Sequence, residues 1–223
     1  APAPNQNPQN SPVMITFSTQ TYKSRRDTLR QRVGNGLIVI FGNNESPYNY
    51  PSNTYKFRQD STFLYYFAQK RDALAGVIDC ESGEECLYGN DIDIEDIVWL
   101  GETPSVAALA AEIGVANSAP MAALKTKIDE ARAKGRTIHF LPPYRHDIQI
   151  QIMDLLGIHP SKQREAASLT LIHAVIDQRA CKTAEEVIEL EKAAKVGYEM
   201  HVTAMRNIRE DVNELAVGAA VDR

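Results

Sequence analysis

Tyr55-Lys56-Phe57-Arg58-Gln59-Asp60-Ser61-Thr62-Phe63-Leu64-Tyr65-Tyr66 sets four adjacent polar residues, two of them oppositely charged, directly against an aromatic run. Phe63 and Tyr65 alternate with Leu64 and Tyr66, the period of a strand covered on both faces, and a strand is expected here. At its entrance Arg58 and Asp60 are expected to pair and anchor the loop, while the Gln59 amide can bridge backbone groups.

Upstream, residues 22–33 are helical in pattern and strongly charged, and Gly34, Asn35 and Gly36 stop the helix. Leu37–Phe41 is continuously apolar, as a central strand covered on both faces must be. Because Gly34 and Gly36 precede this strand instead of following one, they are not a dinucleotide fingerprint. Residues 43–56 form a polar loop rich in asparagine and tyrosine, of a length that usually serves function or contacts.

Downstream, residues 74–79 and 85–88 read as an antiparallel hairpin, and 97–100 as a short strand ended by Gly101. Residues 106–113 and 121–133 read as helices and 137–141 as a strand. In residues 144–156, Ile148, Ile150 and Ile152 alternate like a strand. Ile148, Ile152, Leu155 and Leu156 also form a helical stripe that stops at Gly157, and a helix is expected. Strands gathered early and helices between later strands imply one mixed-sheet α/β domain.

Thr183-x-x-Glu186 is a capping box that opens a long helix. Val187, Leu190, Ala194, Gly197, His201, Met205 and Ile208 share one stripe of it, with His201 read as a hydrogen-bonded core histidine. Such a helix needs a large surface to pack against, and only residues 211–223 follow, so a second domain is expected to begin here.

The formal net charge of -5 argues against nucleic acid as the main partner. The cluster Lys23, Arg25, Arg26, Arg30 and Arg32 reads as a solvated helix face. Three cysteines without a C-x-x-C pair favour a reducing compartment, so a cytoplasmic location is expected. No apolar run approaches the roughly 20 residues of a membrane span, and no membrane partner is expected. Residues 1–13 read as a disordered tail or as residues added to the natural chain.

Asp91, Asp93, Glu95 and Glu102 match positions of a calcium loop, but Asp96 stands where that loop needs glycine, so a solvated acidic turn is expected. The five histidines lack metal-ligand spacing, and no G-x-S-x-G elbow occurs. The sequence therefore assigns no catalytic residue and no metal ligand.

The wording F-R-Q-D-S-x-F-x-Y at residues 57–65 resembles the signature of the N-terminal domain of aminopeptidase P, metallopeptidases that remove an N-terminal residue preceding proline. Tyr22-Lys23-x-Arg25-Arg26-x-x-Leu29, Ile97-x-Trp99-x-Gly101 and Arg179-x-x-Lys182-Thr183-x-x-Glu186 resemble further stretches of that family in the same order. The resemblance makes Arg58, Gln59, Asp60, Ser61, Phe63 and Tyr65 a structural signature. It implies a creatinase/prolidase-type N-terminal domain over 14–178, a mixed sheet flanked by helices. Residues 179–223 would be the junction and first helix or helices of a truncated pita-bread domain.

In that family the catalytic domain holds two divalent metals, commonly manganese, which polarise the scissile carbonyl and activate a bridging water. Its ligands have no matching positions in these 223 residues, so the chain alone is expected to hold no cofactor and to be inactive. The resemblance further implies a homo-oligomer acting on short peptides with proline second. Trp99 matches a tryptophan that in some relatives reaches a neighbouring subunit's pocket, which makes it a substrate-access candidate. Two other expectations stand beside this one: a non-catalytic interaction module, and a prolidase- or creatinase-like relative with a different amide substrate.

Overall fold

The structure, a computed structural model, describes residues 16–93, 98, 101 and 103–222. It divides into two compact units, the first ending at Gln178 and the second running from Arg179.

The first unit opens with helix α1 (Thr19–Val33), whose first turn is capped by the Ser18 hydroxyl accepting from the Thr21 amide. Strand β1 (Leu37–Phe41) follows, then a small exposed hairpin of β2 (Pro47–Tyr50) and β3 (Asn53–Thr54) inside the long polar loop. After α2 (Ser61–Phe67) come β4 (Ala75–Asp79) and β5 (Glu85–Tyr88), α3 (Val106–Glu112), β6 (Asn117–Ala119), α4 (Ala122–Ala133) and β7 (Ile138–His139). Three helices follow: α5 (His146–Leu156), α6 (Pro160–Ala166) and α7 (Leu169–Ala180).

The five-stranded sheet has the order β6-β5-β4-β1-β7. β4 runs antiparallel to β1 and β5, while β6 joins β5 and β7 joins β1 in parallel, so the sheet is mixed. Register then divides the apolar residues between its faces. Ile38, Ile40, Ile78 and Leu87 pack with α1, α2, α3 and α7, and Leu37, Val39, Val77 and Tyr88 pack with α4 and α5. The continuous apolar run of β1 is the consequence: both faces are covered. Gly76 is required on β4 because a Cβ there would stand 2.2 Å from the Phe67 ring.

The aromatic stretch is a helix, not the expected strand. Asp60 caps it, accepting from the amides of Thr62 and Phe63 at 2.8 Å each. Phe63, Tyr66 and Phe67 then fall on one helical face and are completely buried, with the Phe63 and Phe67 rings stacked at 5.3 Å. The solvated-face reading of the basic cluster also fails for two members, since Arg25 and Arg26 are buried in the first unit.

The second unit contains α8 (Ala184–Asn207) and α9 (Glu214–Val221). The capping box forms as expected: the Glu186 amide donates to the Thr183 hydroxyl, and the Glu186 carboxylate accepts from the Thr183 amide. Val187, Leu190, Met205 and Ile208 are exposed, and so is His201. Residues 1–13 and most of the 97–100 stretch lie outside the described residues. Among the described residues no helix is long and apolar enough to cross a membrane.

Candidate functional site

Where β1 ends, three segments distant in sequence converge. Gln59 is buried and spends its amide entirely on backbone. Its oxygen accepts from the amides of Asn43 (2.6 Å) and Asp60 (2.9 Å), and its nitrogen donates to the Arg71 carbonyl (2.7 Å). Asn43, also buried, donates to the Arg58 carbonyl and to the Tyr144 hydroxyl. The Tyr144 hydroxyl in turn donates to the second oxygen of Asp60 at 3.1 Å. One carboxylate thus caps α2 with one oxygen and receives the segment after β7 with the other.

Beside this hub Arg145 clamps the loop that leads to the β2–β3 hairpin. It donates to the Asn44 carbonyl, the Ser46 hydroxyl and the Asp147 carboxylate, which also accepts from the Asn44 amide group. Burial pushes the Asp147 carboxyl up, but Arg145 and Asn44 together hold it below the usual aspartate value. A cavity of about 50 Å³ lies here, lined by Val39, Phe41, Asn43, Asp60, Pro143 and Tyr144 among others. That is far below the roughly 300–1,000 Å³ of small-molecule sites. The hub is a positioning device. What it presents outward is the hairpin, with Tyr48, Tyr50 and Tyr55 exposed and the rings of Tyr48 and Tyr55 edge-on at 4.8 Å.

The structure unites most of the signature residues but changes their roles. Gln59 bridges backbone as expected. The expected pair of Arg58 and Asp60 does not form: Asp60 is committed to the helix cap and Tyr144, and the Arg58 side chain is exposed. Ser61 opens α2 in an exposed position. Tyr65 carries the Arg25 guanidinium over its ring at 4.1 Å and donates from its hydroxyl to the Gln178 carbonyl. Trp99 lies outside the described residues, as do Glu95 and Glu102 of the acidic turn, whose Asp91 accepts from the Val106 amide. Asn43, Tyr144, Arg145 and Asp147 belong to the site without having been singled out in the sequence.

A second polar cluster occupies the opposite end of β1. Arg136 grips Asp79 with two hydrogen bonds of 2.7 and 2.8 Å and also donates to Glu81 and to the Gly36 carbonyl. It faces an open cleft of about 550 Å³ whose other walls include Glu84, Lys127, Glu130 and Lys134. Burial raises the Asp79 carboxyl, and the Arg136 and Ser82 bonds more than offset it, leaving the group below its usual range. The gripped carboxylate ties the end of β4 to Arg136. Among the described residues no group of three or more His, Cys, Asp or Glu could hold a metal ion.

The model of the aminopeptidase P N-terminal domain matches residues 22–139, from within α1 through β7, the span that holds the sheet, Asn43, Gln59 and Asp60. The chain belongs to the aminopeptidase P N-terminal domain family.

Solved structures agree on the fold of this aminopeptidase P domain. Pseudomonas aeruginosa aminopeptidase PepP aligns with a TM-score of 0.75 and 22% identity over 94% of this chain and 49% of its own. Zinc-substituted Escherichia coli aminopeptidase P in complex with product gives 0.74 and 18% over 92% and 48%. The low-pH form of the E. coli enzyme gives 0.73 and 18% over the same shares. The chain thus spans about half the length of these aminopeptidases. No curated protein matches the chain.

Proposed function

We propose that this chain is the N-terminal part of a proline-specific metallopeptidase that releases the first residue from Xaa-Pro peptides. Its domain would contribute oligomerisation and substrate access while the chemistry is carried elsewhere. The family match over residues 22–139 carries this reading. The Gln59–Asp60 hub supports it, because it braces a loop bearing three exposed tyrosines without offering a reaction centre of its own. In this reading the tyrosine hairpin and Trp99 narrow the approach to a neighbouring subunit's pocket, and the exposed apolar residues of α8 meet the remainder of a pita-bread domain. The metals, manganese in this proposal, would be held by that domain. All three cysteines are free, which supports a reducing, cytoplasmic setting.

The 223-residue chain, incubated with an Xaa-Pro peptide and manganese, is expected to release no N-terminal residue above the blank. Release that scales with the amount of chain would overturn the assignment of the chemistry to another domain.

A further inference from the structure

His139 is buried in β7, and its ring is held by one directed bond. Its Nδ1 lies 2.7 Å from the Ser168 hydroxyl, which also accepts from the Leu171 amide in the first turn of α7. The hydroxyl that accepts from Leu171 keeps a second lone pair and its own proton, so it can serve Nδ1 as donor to the neutral ring or as acceptor from an N–H. Nε2 is buried without a hydrogen bond of good geometry, and the Asn35 backbone beside the ring favours its charged form. The ring packs so tightly against Gly36 that a Cβ there would stand 2.7 Å from Nε2.

We propose that His139 and Ser168 form a proton-operated latch that fastens β7 to the start of α7 and opens locally when the imidazole takes up a proton. Protonation puts a hydrogen on both ring nitrogens, leaves the Ser168 hydroxyl only the acceptor role toward Nδ1, and places a full charge in a buried site. The charged groups gathered at Gly36 are Arg136, Asp79 and Glu81, and they are already paired with one another. β1 offers no titratable side chain, the titratable His173 of α7 is exposed, and among the described residues no carboxylate bonds to the ring.

What opens is the shorter of the sheet's two edges. β7 contributes only two residues, paired with Leu37 and Ile38, and the Ser168 amide donates to the Phe140 carbonyl immediately beyond it. Burial holds the ring below the ordinary histidine value, with the Asn35 backbone opposing. For a depressed group, stability is complete above the unfolded value of about 6.5 and is lost as pH falls through the folded one.

Hydrogen exchange on the 223-residue chain tests the latch, with protection corrected for intrinsic rates at about pH 7.5 and pH 5. Residues 136–141 and 166–173 are expected to lose about tenfold or more of their protection on acidification, while β4 and β5 keep theirs. In His139→Gln, which keeps an amide for Ser168 but cannot titrate, that loss should vanish. Unchanged protection in the parent chain, an equal loss in β4 and β5, or the same loss in His139→Gln would each overturn the proposal. Should His139→Gln not fold, NMR titration of the His139 ring in the parent chain decides. Titration below the ordinary value together with movement of the Ser168 amide supports the latch, and titration at or above that value overturns it.

Discussion

Replacing Arg26 with alanine is expected to cost about 3–5 kcal/mol of stability, measured by urea unfolding. The guanidinium has no exposed surface and ties four elements together. Nε donates to Glu85 of β5 at 2.9 Å, and the two terminal nitrogens donate to the carbonyls of Tyr66 in α2 and Ile113 after α3. Burial lowers the Arg26 pKa and raises that of Glu85, each opposed by its partner, so each group needs the other to stay charged inside the protein. Truncation leaves Glu85 without its cation and two buried carbonyls without donors. The double variant Arg26→Met with Glu85→Leu removes the stranded charge, and it should recover part of the loss but not the two carbonyl bonds. A single variant within about 1 kcal/mol of the parent would show that the buried pair holds nothing together.

Gln59→Leu is expected to cost about 2–4 kcal/mol, because two backbone N–H groups and one carbonyl lose their partner inside the protein. Gln59→Glu offers a sharper comparison. An ionised carboxylate still accepts from Asn43 and Asp60 but cannot donate to the Arg71 carbonyl. Its loss should therefore fall between those of the parent chain and the leucine variant. If the leucine and glutamate variants unfold at the same urea concentration as the parent, the hub does not brace the loop.

The parts of the fold that were legible are those where burial writes itself into residue type. β1, β4 and β5 read as strands because covered faces demand apolar side chains at nearly every position. α5 was decided by its stripe and by Gly157, which ends the helix with φ at +71°. β6 escaped notice because an edge strand of Asn117, Ser118 and Ala119 buries little and carries no apolar signal. The aromatic stretch misled because a short apolar run fits both periods, and only the capping role of Asp60 separates them.

Arg26 had a readable sign that charge alone concealed. It stands on the same α1 stripe as Tyr22, Leu29 and Val33, and a cation on an apolar stripe is a candidate for burial. At the site, Gln59 and Asp60 were legible through their wording. Their partners Asn43 and Tyr144 were not, since 101 positions separate Asn43 from Tyr144 and only folding brings them together.

The division of labour between this domain and a separate reaction centre is tested most directly by comparing two proteins in one assay: the 223-residue chain, and the product of its reading frame continued past Arg223. With manganese and an Xaa-Pro peptide, the longer protein is expected to release the first residue at a rate proportional to enzyme, and the shorter one none. A stop directly after Arg223, a longer protein without turnover, or equal turnover by the shorter chain would contradict it.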